Sequence, residues 1–189
     1  MNPLATYIRS FVDFPDDELE EVLAHFQPRT LPKGAYLCRQ GQVCGEISFI
    51  QRGFLRSFYL IHDQDVTRFI LTKGVFATAL TSFVTQTPSS ENLQAITNTE
   101  LWTISHRDLY RLYDRFPRME RLGRLAIERS HILLEERVLT LLSLTAEERY
   151  RNLSDERPEL LQEVPLHYIA SLLGVKPETL SRIRKKLSL

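Results

Sequence analysis

Five of the seven glycines, at positions 34, 41, 45, 53 and 74, fall within about forty residues and are interleaved with short apolar segments. Glycine tolerates the positive φ that tight turns need, so this density reads as turn punctuation at strand spacing. Segments 46–50, 54–61, 66–72, 92–96 and 101–105 are rich in β-branched and aromatic residues. They are separated by turn formers: Gly53, residues 62–65, Lys73-Gly74 and residues 97–99. Several short strands of this kind predict a compact antiparallel barrel or roll.

The flanks follow a different period. Pro15 followed by Asp16, Asp17 and Glu18 opens a helix whose acids suit its positive N-terminus, ending near Pro28. After the strands, residues 106–113 read as a short helix stopped at Pro117. Residues 117–144 hold one glycine, no proline beyond position 117 and many helix formers, which predicts a helix roughly 40 Å long. Ile127, His131, Leu134, Val138 and Leu141 repeat at 4-3-4-3 spacing, while Met119, Leu122, Leu125, Ile132, Leu133 and Leu139 add apolar surface on other sides. Such a helix needs more than one neighbour. It is either a core helix of one domain or a dimer helix packing on its own barrel and on its twin, with His131 in the seam. Residues 145–163 fit two short helices. The fold class is therefore α+β, with a β-roll and flanking helices at 1–116, a long helix at 117–144 and an all-α unit at 145–189.

Composition narrows the function. Lys plus Arg and Asp plus Glu both total 24, so no field of the whole protein attracts nucleic acid or anionic membrane, and any such affinity must be local. The N-terminus lacks the apolar stretch of a signal peptide, and no run of about 18 apolar residues could span a membrane, so a soluble cytoplasmic protein is expected. Cys38 and Cys44, the only cysteines, cannot make a four-cysteine metal or iron–sulfur site and are expected to be packed thiols. No nucleophile–base pair, metal-ligand spacing or phosphate-cradling glycine loop points to an enzyme, a metal or a cofactor.

The local patch lies at the other end of the chain. Within 166–185, Ala170 is small enough for two helices to approach and Gly174 can take the left-handed turn conformation. Ile169, Leu173, Val175, Leu180 and Ile183 supply a shared core, and Pro177 suits the first position of the second helix. At 100° per residue, Leu180, Ile183 and Leu187 share one face, so Glu178, Arg182, Lys185 and Lys186 fall on the opposite side. Residues 176–189 carry five cations against Glu178 alone. A tight helical hairpin with a solvated basic tip is the plain reading. A helix-turn-helix presenting a cationic face to DNA is the functional one.

At Leu173-Gly174-Val175 and Glu178-Thr179-Leu180-Ser181-Arg182-Ile183 the sequence resembles the C-terminal domain of Crp/Fnr-type transcription regulators. The order of parts agrees along nearly the whole chain: short N-terminal helices, a β-roll, a long helix, then the helix-turn-helix. The resemblance implies a cyclic-nucleotide-binding-like roll, a homodimer held by the long helix, and double-stranded DNA as partner, with RNA polymerase and a small-molecule effector as further partners. By position it makes Glu178 and Arg182 base readers, since Glu accepts from cytosine and Arg donates twice to guanine. Thr179 and Ser181 would meet phosphate or a base edge, and Lys176, Lys185 and Lys186 would neutralise phosphates.

Three departures qualify this. Pro177 stands where an Arg often precedes the Glu, and the sequence reaches Leu189 without residues for the β-wing that usually follows, so a full wing is not expected. The third concerns the effector, because members that bind cyclic nucleotides use a Gly-Glu pair for ribose and an Arg beside Ser or Thr for phosphate. The matching stretches, 76–80 and 88–92, contain neither, and the pocket candidates are Phe76, Thr78, Ser89, Ser90 and Glu91. Glu91 opposes an anion, so cyclic AMP in the usual mode is not expected. A sensor acting through a protein partner rather than DNA is the alternative.

Overall fold

The computed structural model describes residues 2–62 and 64–187. Asp63 of the expected 62–65 turn, Met1 of the expected first domain and residues 188–189 of the expected last one lie outside the described residues. The chain begins with helices α1 (Pro3–Phe11) and α2 (Asp16–Ala24). The Asn2 side chain accepts from the Leu4 amide and caps α1, while Asp16, Asp17 and Glu18 fill the first turn of α2.

Among the described residues eight strands follow: β1 (Gln27–Leu31), β2 (Tyr36–Cys38), β3 (Glu46–Arg52), β4 (Leu55–Ile61), β5 (Gln64–Leu71), β6 (Phe76–Ala77), β7 (Asn92–Ala95) and β8 (Thr99–Ser105), with α3 (Leu80–Thr85) between β6 and β7. They form two antiparallel four-stranded sheets, ordered β1-β8-β3-β6 and β2-β7-β4-β5. The buried core includes Phe49, Ile50, Leu55, Leu93, Leu101 and Ile104 of the sheets with Leu4 and Ile8 of α1, and β3 is covered on both faces, Phe49 lying beside Tyr7 of α1 and Ile50 pointing the other way. Packing of this sort excludes water from both apolar faces at once. The second sheet ends on β5, which pairs with β4 from Leu55↔Leu71 to Ile61↔Gln64 with an irregularity at Ser57/Phe58. The other long edge of β5 therefore has no strand beside it among the described residues.

The five expected strands are present with shifted ends. The structure adds β1, β2, β6 and α3, and α2 stops at Ala24 so that Pro28 sits inside β1. Proline is tolerated there because β1 is an outer strand with a free side.

The helical region comprises α4 (His106–Arg115), α5 (Pro117–Ser143), α6 (Ala146–Glu156), α7 (Pro158–Glu163), α8 (Leu166–Leu172) and α9 (Pro177–Leu187). Gly123 lets α4 and α5 close on each other, since a Cβ there would come within 2.6 Å of the Tyr113 hydroxyl. Only the start of α5 is buried, at Met119 and Leu122. Farther along, Ile127, Ile132, Leu133, Val138, Leu139 and Leu142 are exposed, Leu139 at 64% and Leu142 at 81%. No described helix is long and apolar enough to cross a membrane.

Cys38 and Cys44 are free and buried, as expected of packed thiols. Burial, and then the adjoining Cys44, push the Cys38 thiol up to about 12. The thiolate is the reactive form, so Cys38 should resist an aromatic disulfide reagent at pH near 8 in the folded protein and react once the chain is unfolded. Rapid labelling of Cys38 without unfolding would contradict this.

Candidate nucleic-acid interface

The cationic segment is mounted on a second, smaller core. Leu160 of α7, Ile169, Ala170 and Leu172 of α8, Leu173, and Leu180 of α9 form one buried cluster with Val164. The turn between α8 and α9 closes with two backbone bonds, Val175 N to Ala170 O at 3.0 Å and Gly174 N to Ser171 O at 3.0 Å. This is the Schellman pattern of a helix ended by a left-handed residue, and Gly174 supplies it at φ 68°. A Cβ on Gly174 would meet nothing closer than Leu141 Cδ2 at 3.6 Å, so backbone conformation, not space, makes glycine suitable here.

Guanidinium groups hold the end of α8 from behind. Arg137 of α5 donates to the Leu172 carbonyl, and Arg149 of α6 donates through Nε to the Leu173 carbonyl at 3.0 Å and through Nη1 to Leu144 O at 2.5 Å. The Leu172 and Leu173 carbonyls lie at the negative end of α8 and Leu144 O at that of α5, where carbonyls lack intrahelical donors and cations are favourable. Burial and the nearby Arg149 lower the pKa of Arg137 from its ordinary value. The α6 helix is itself fixed by a capping box, Thr145 receiving the Glu148 amide and the Glu148 carboxylate receiving the Thr145 amide.

On this mount α9 presents the residues singled out from sequence. Leu180 is fully buried and Ile183 and Leu187 are half-buried, whereas Lys176, Glu178, Ser181, Arg182, Lys185 and Lys186 are exposed and Thr179 is half-buried. Arg182 Nη2 reaches Thr179 Oγ1 at 3.3 Å, one turn back on the same face. Lys186 is already engaged: its Nζ donates to Glu147 Oε2 of α6 at 2.6 Å, and Arg151 binds the other oxygen of that carboxylate at 2.8 Å. Hydrogen bonding from Lys186 lowers the pKa of the Glu147 carboxyl, with Arg151 adding to it. A lowered folded-state pKa contributes stability above the ordinary carboxylate range and loses it as pH falls through the folded value. The melting-temperature gap between wild type and Glu147→Gln should therefore be present at neutral pH and close in acid. A gap independent of pH would refute the pairing.

The effector candidates are less convergent. Ser89 Oγ accepts from the Glu91 amide at 3.1 Å and donates to the Glu91 carbonyl at 2.8 Å, so these two come together. Phe76 belongs to an aromatic group with Tyr7, Phe26 and Phe49, Thr78 donates to Glu46 O at 2.9 Å, and Ser90 is exposed. Glu91 is buried, its Oε2 receiving Ser57 Oγ at 2.5 Å and facing Arg68 Nη1 at 3.4 Å. Sequence reading missed Ser57 and Arg68, because a strand residue reveals which face it occupies only after register is known, and β5 is irregular just there.

Residues 28–116 match the family model described as a cyclic nucleotide-binding domain. Among solved structures, the chain is similar to CLP, a c-di-GMP-responsive global regulator of Xanthomonas campestris, at 22% identity over 92% of each chain and a TM-score of 0.71. It is similar to the catabolite activator protein of Thermus thermophilus at 25% identity, covering 99% of this chain and 87% of that one, with a TM-score of 0.57. A Eubacterium rectale protein described as a Crp/Fnr-family transcriptional regulator aligns at 12% identity over 93% of this chain and 84% of that one, with a TM-score of 0.74. No curated protein sequence matches. The class defined by these findings is a cyclic-nucleotide-binding-type β-roll joined to a C-terminal helical region. More particularly, its fold is similar along most of its length to that of a protein described as a Crp/Fnr-family transcriptional regulator, in line with the sequence resemblance.

Proposed function

We propose that the chain is a sequence-specific DNA-binding transcription regulator of Crp/Fnr type that acts in the cytoplasm as a homodimer. Its parts are a sensor roll at 1–116, a dimerisation helix at 117–144 and a helix-turn-helix reader at 145–189. The observation that carries this reading is the exposed cationic face of α9, opposite a buried Leu180 and mounted on helices fixed by Arg137 and Arg149. Glu178 and Arg182 read base edges, Thr179 and Ser181 meet phosphate or a base edge, and Lys176 and Lys185 neutralise phosphates. Lys186 divides its charge between DNA and Glu147. The unpacked apolar length of α5 supports the dimer: a monomer would leave Leu139 and Leu142 in water, and a second copy of the same helix covers them.

Cyclic AMP bound in the usual way is not expected as an effector. Glu91 lies buried with Ser57 and Arg68 around it, so the Arg68 guanidinium already faces a carboxylate. An anionic phosphate placed there would compete with Glu91 for that charge.

Selection of bound fragments from random duplex DNA by the purified full chain tests the reading. It should return two half-sites related by a two-fold axis, their centres about 10 base pairs apart or a multiple of that, with affinity falling as salt rises. Failure to enrich any sequence, together with salt-insensitive retention, would refute it.

A further inference from the structure

We propose that Arg56 of β4 is a positioning residue that locks the α8–α9 reader onto the roll, so that the two move as one body. This deepens the DNA-reading assignment and rests on it only for its consequence at the operator.

The free edge of β5 is where the reader docks. Thr67 N, which has no strand to receive it, donates to Ser171 Oγ of α8 at 2.8 Å, and Ser171 Oγ in turn lies 3.4 Å from Asp65 O. Farther along the same edge, Arg157 Nη1 donates to Ile70 O at 3.2 Å. Side chains of the helical region thus take the place of a missing strand. Beneath them Phe54, Ile70 and Ile96 of the roll join the reader's own apolar cluster.

Arg56 stands at the centre of this contact. Its side chain is 5% exposed, and its guanidinium lies 3.8 Å from the ring of Phe58 and 3.8 Å from the ring of Tyr168 on α8. Nη2 donates to Asp65 Oδ2 at 2.8 Å and to Gln94 Oε1 at 3.1 Å, and Nε reaches Gln94 Oε1 at 3.3 Å. Nη1 is buried with no hydrogen-bond partner among the described residues. A desolvated guanidinium with both N–H groups of Nη1 unmet is a poor source of net stability. What it supplies is geometry. A planar cation between two rings, held edge-on by a carboxylate and an amide, fixes the rotation of Tyr168, and through it α8, against β4.

The test uses the full chain. Arg56→Met keeps length and apolar contact, and Asp65, 36% exposed, can return to water. The melting temperature should stay at the wild-type value while amide exchange at Thr67 rises at least about tenfold and the β3–β8 ladder is unchanged. Tyr168→Ala should do the same and Tyr168→Phe, which keeps the ring, should not. Unchanged Thr67 exchange in Arg56→Met overturns the proposal, as does an equal rise throughout the roll, which would mark a merely structural residue.

The second readout is tolerance of operator spacing, with duplexes recovered by selection and the same duplexes carrying one extra base pair between half-sites. A rigidly docked reader should lose about tenfold or more on this insertion, and a loosened one less than about threefold. An equal spacing penalty in wild type and Arg56→Met overturns the positioning role. If wild type selects no DNA, the DNA-reading assignment fails and Thr67 exchange alone decides the lock.

Discussion

Arg182→Ala is expected to weaken binding to a selected duplex by roughly 10- to 100-fold, about 1–3 kcal/mol, while leaving a random duplex far less affected. The asymmetry follows from what each side chain can do. Arg182 is exposed on the second turn of α9, and its fork can donate two parallel hydrogen bonds to guanine. Among the described residues its Nη2 has only Thr179 Oγ1 at 3.3 Å, an exposed contact that DNA can replace at little cost. Lys185 has no such fork and should weaken both duplexes alike when replaced by alanine. Equal losses on both duplexes for Arg182→Ala would mean that this residue contacts phosphate and that sequence is read elsewhere.

The largest effect is expected on α5. Ile132→Lys together with Leu139→Lys should convert the protein to a monomer by sedimentation and reduce affinity for a two-half-site duplex by about 100-fold or more, because the second reader no longer binds at high effective concentration. Affinity for a single half-site should barely change, since both positions lie outside the α7–α9 core. The roll should also keep its fold, because the only buried residues of the 27-residue α5 are Met119 and Leu122 at its start. A double variant that remains dimeric would place the seam on another surface.

How much of this was legible in the sequence depended on whether the deciding interactions were local. The long strands, α5 and the α8–α9 pair were readable because each carries its own pattern: turn glycines, sustained helix formers, and a small–Gly–apolar spacing with a cationic far side. Strands β1, β2 and β6 were not. The first contains Pro28, and the others are three and two residues long, too short for alternation to show. Helix α3, Leu-Thr-Ser-Phe-Val-Thr, has β-branched residues and no side-chain cap, so local propensity argues against the helix that packing of Phe83 and Ser82 imposes.

The candidate site divides in the same way. All seven residues assigned to DNA lie on or just before one helix, where spacing alone fixes direction. The pairing of Lys186 with Glu147 spans 39 positions and could not be foreseen. The same holds for Ser57 and Arg68 around Glu91, which meet only after β4, β5 and β7 are in register. The two thiols were read correctly as packed because a small apolar side chain between turns has few other uses.

The contact of Ser171 and Arg157 with β5 bears on solubility as well as on signalling. An uncovered strand edge is a template on which another chain can add itself, and proteins usually blunt such edges with charge, proline or a bulge. Here Thr67 N and Ile70 O are occupied by side chains of the C-terminal helical region. These helices thereby cover part of the roll's edge strand, and a substitution that frees them would expose its unpaired groups. One surface thus both seats the helices and shields the strand.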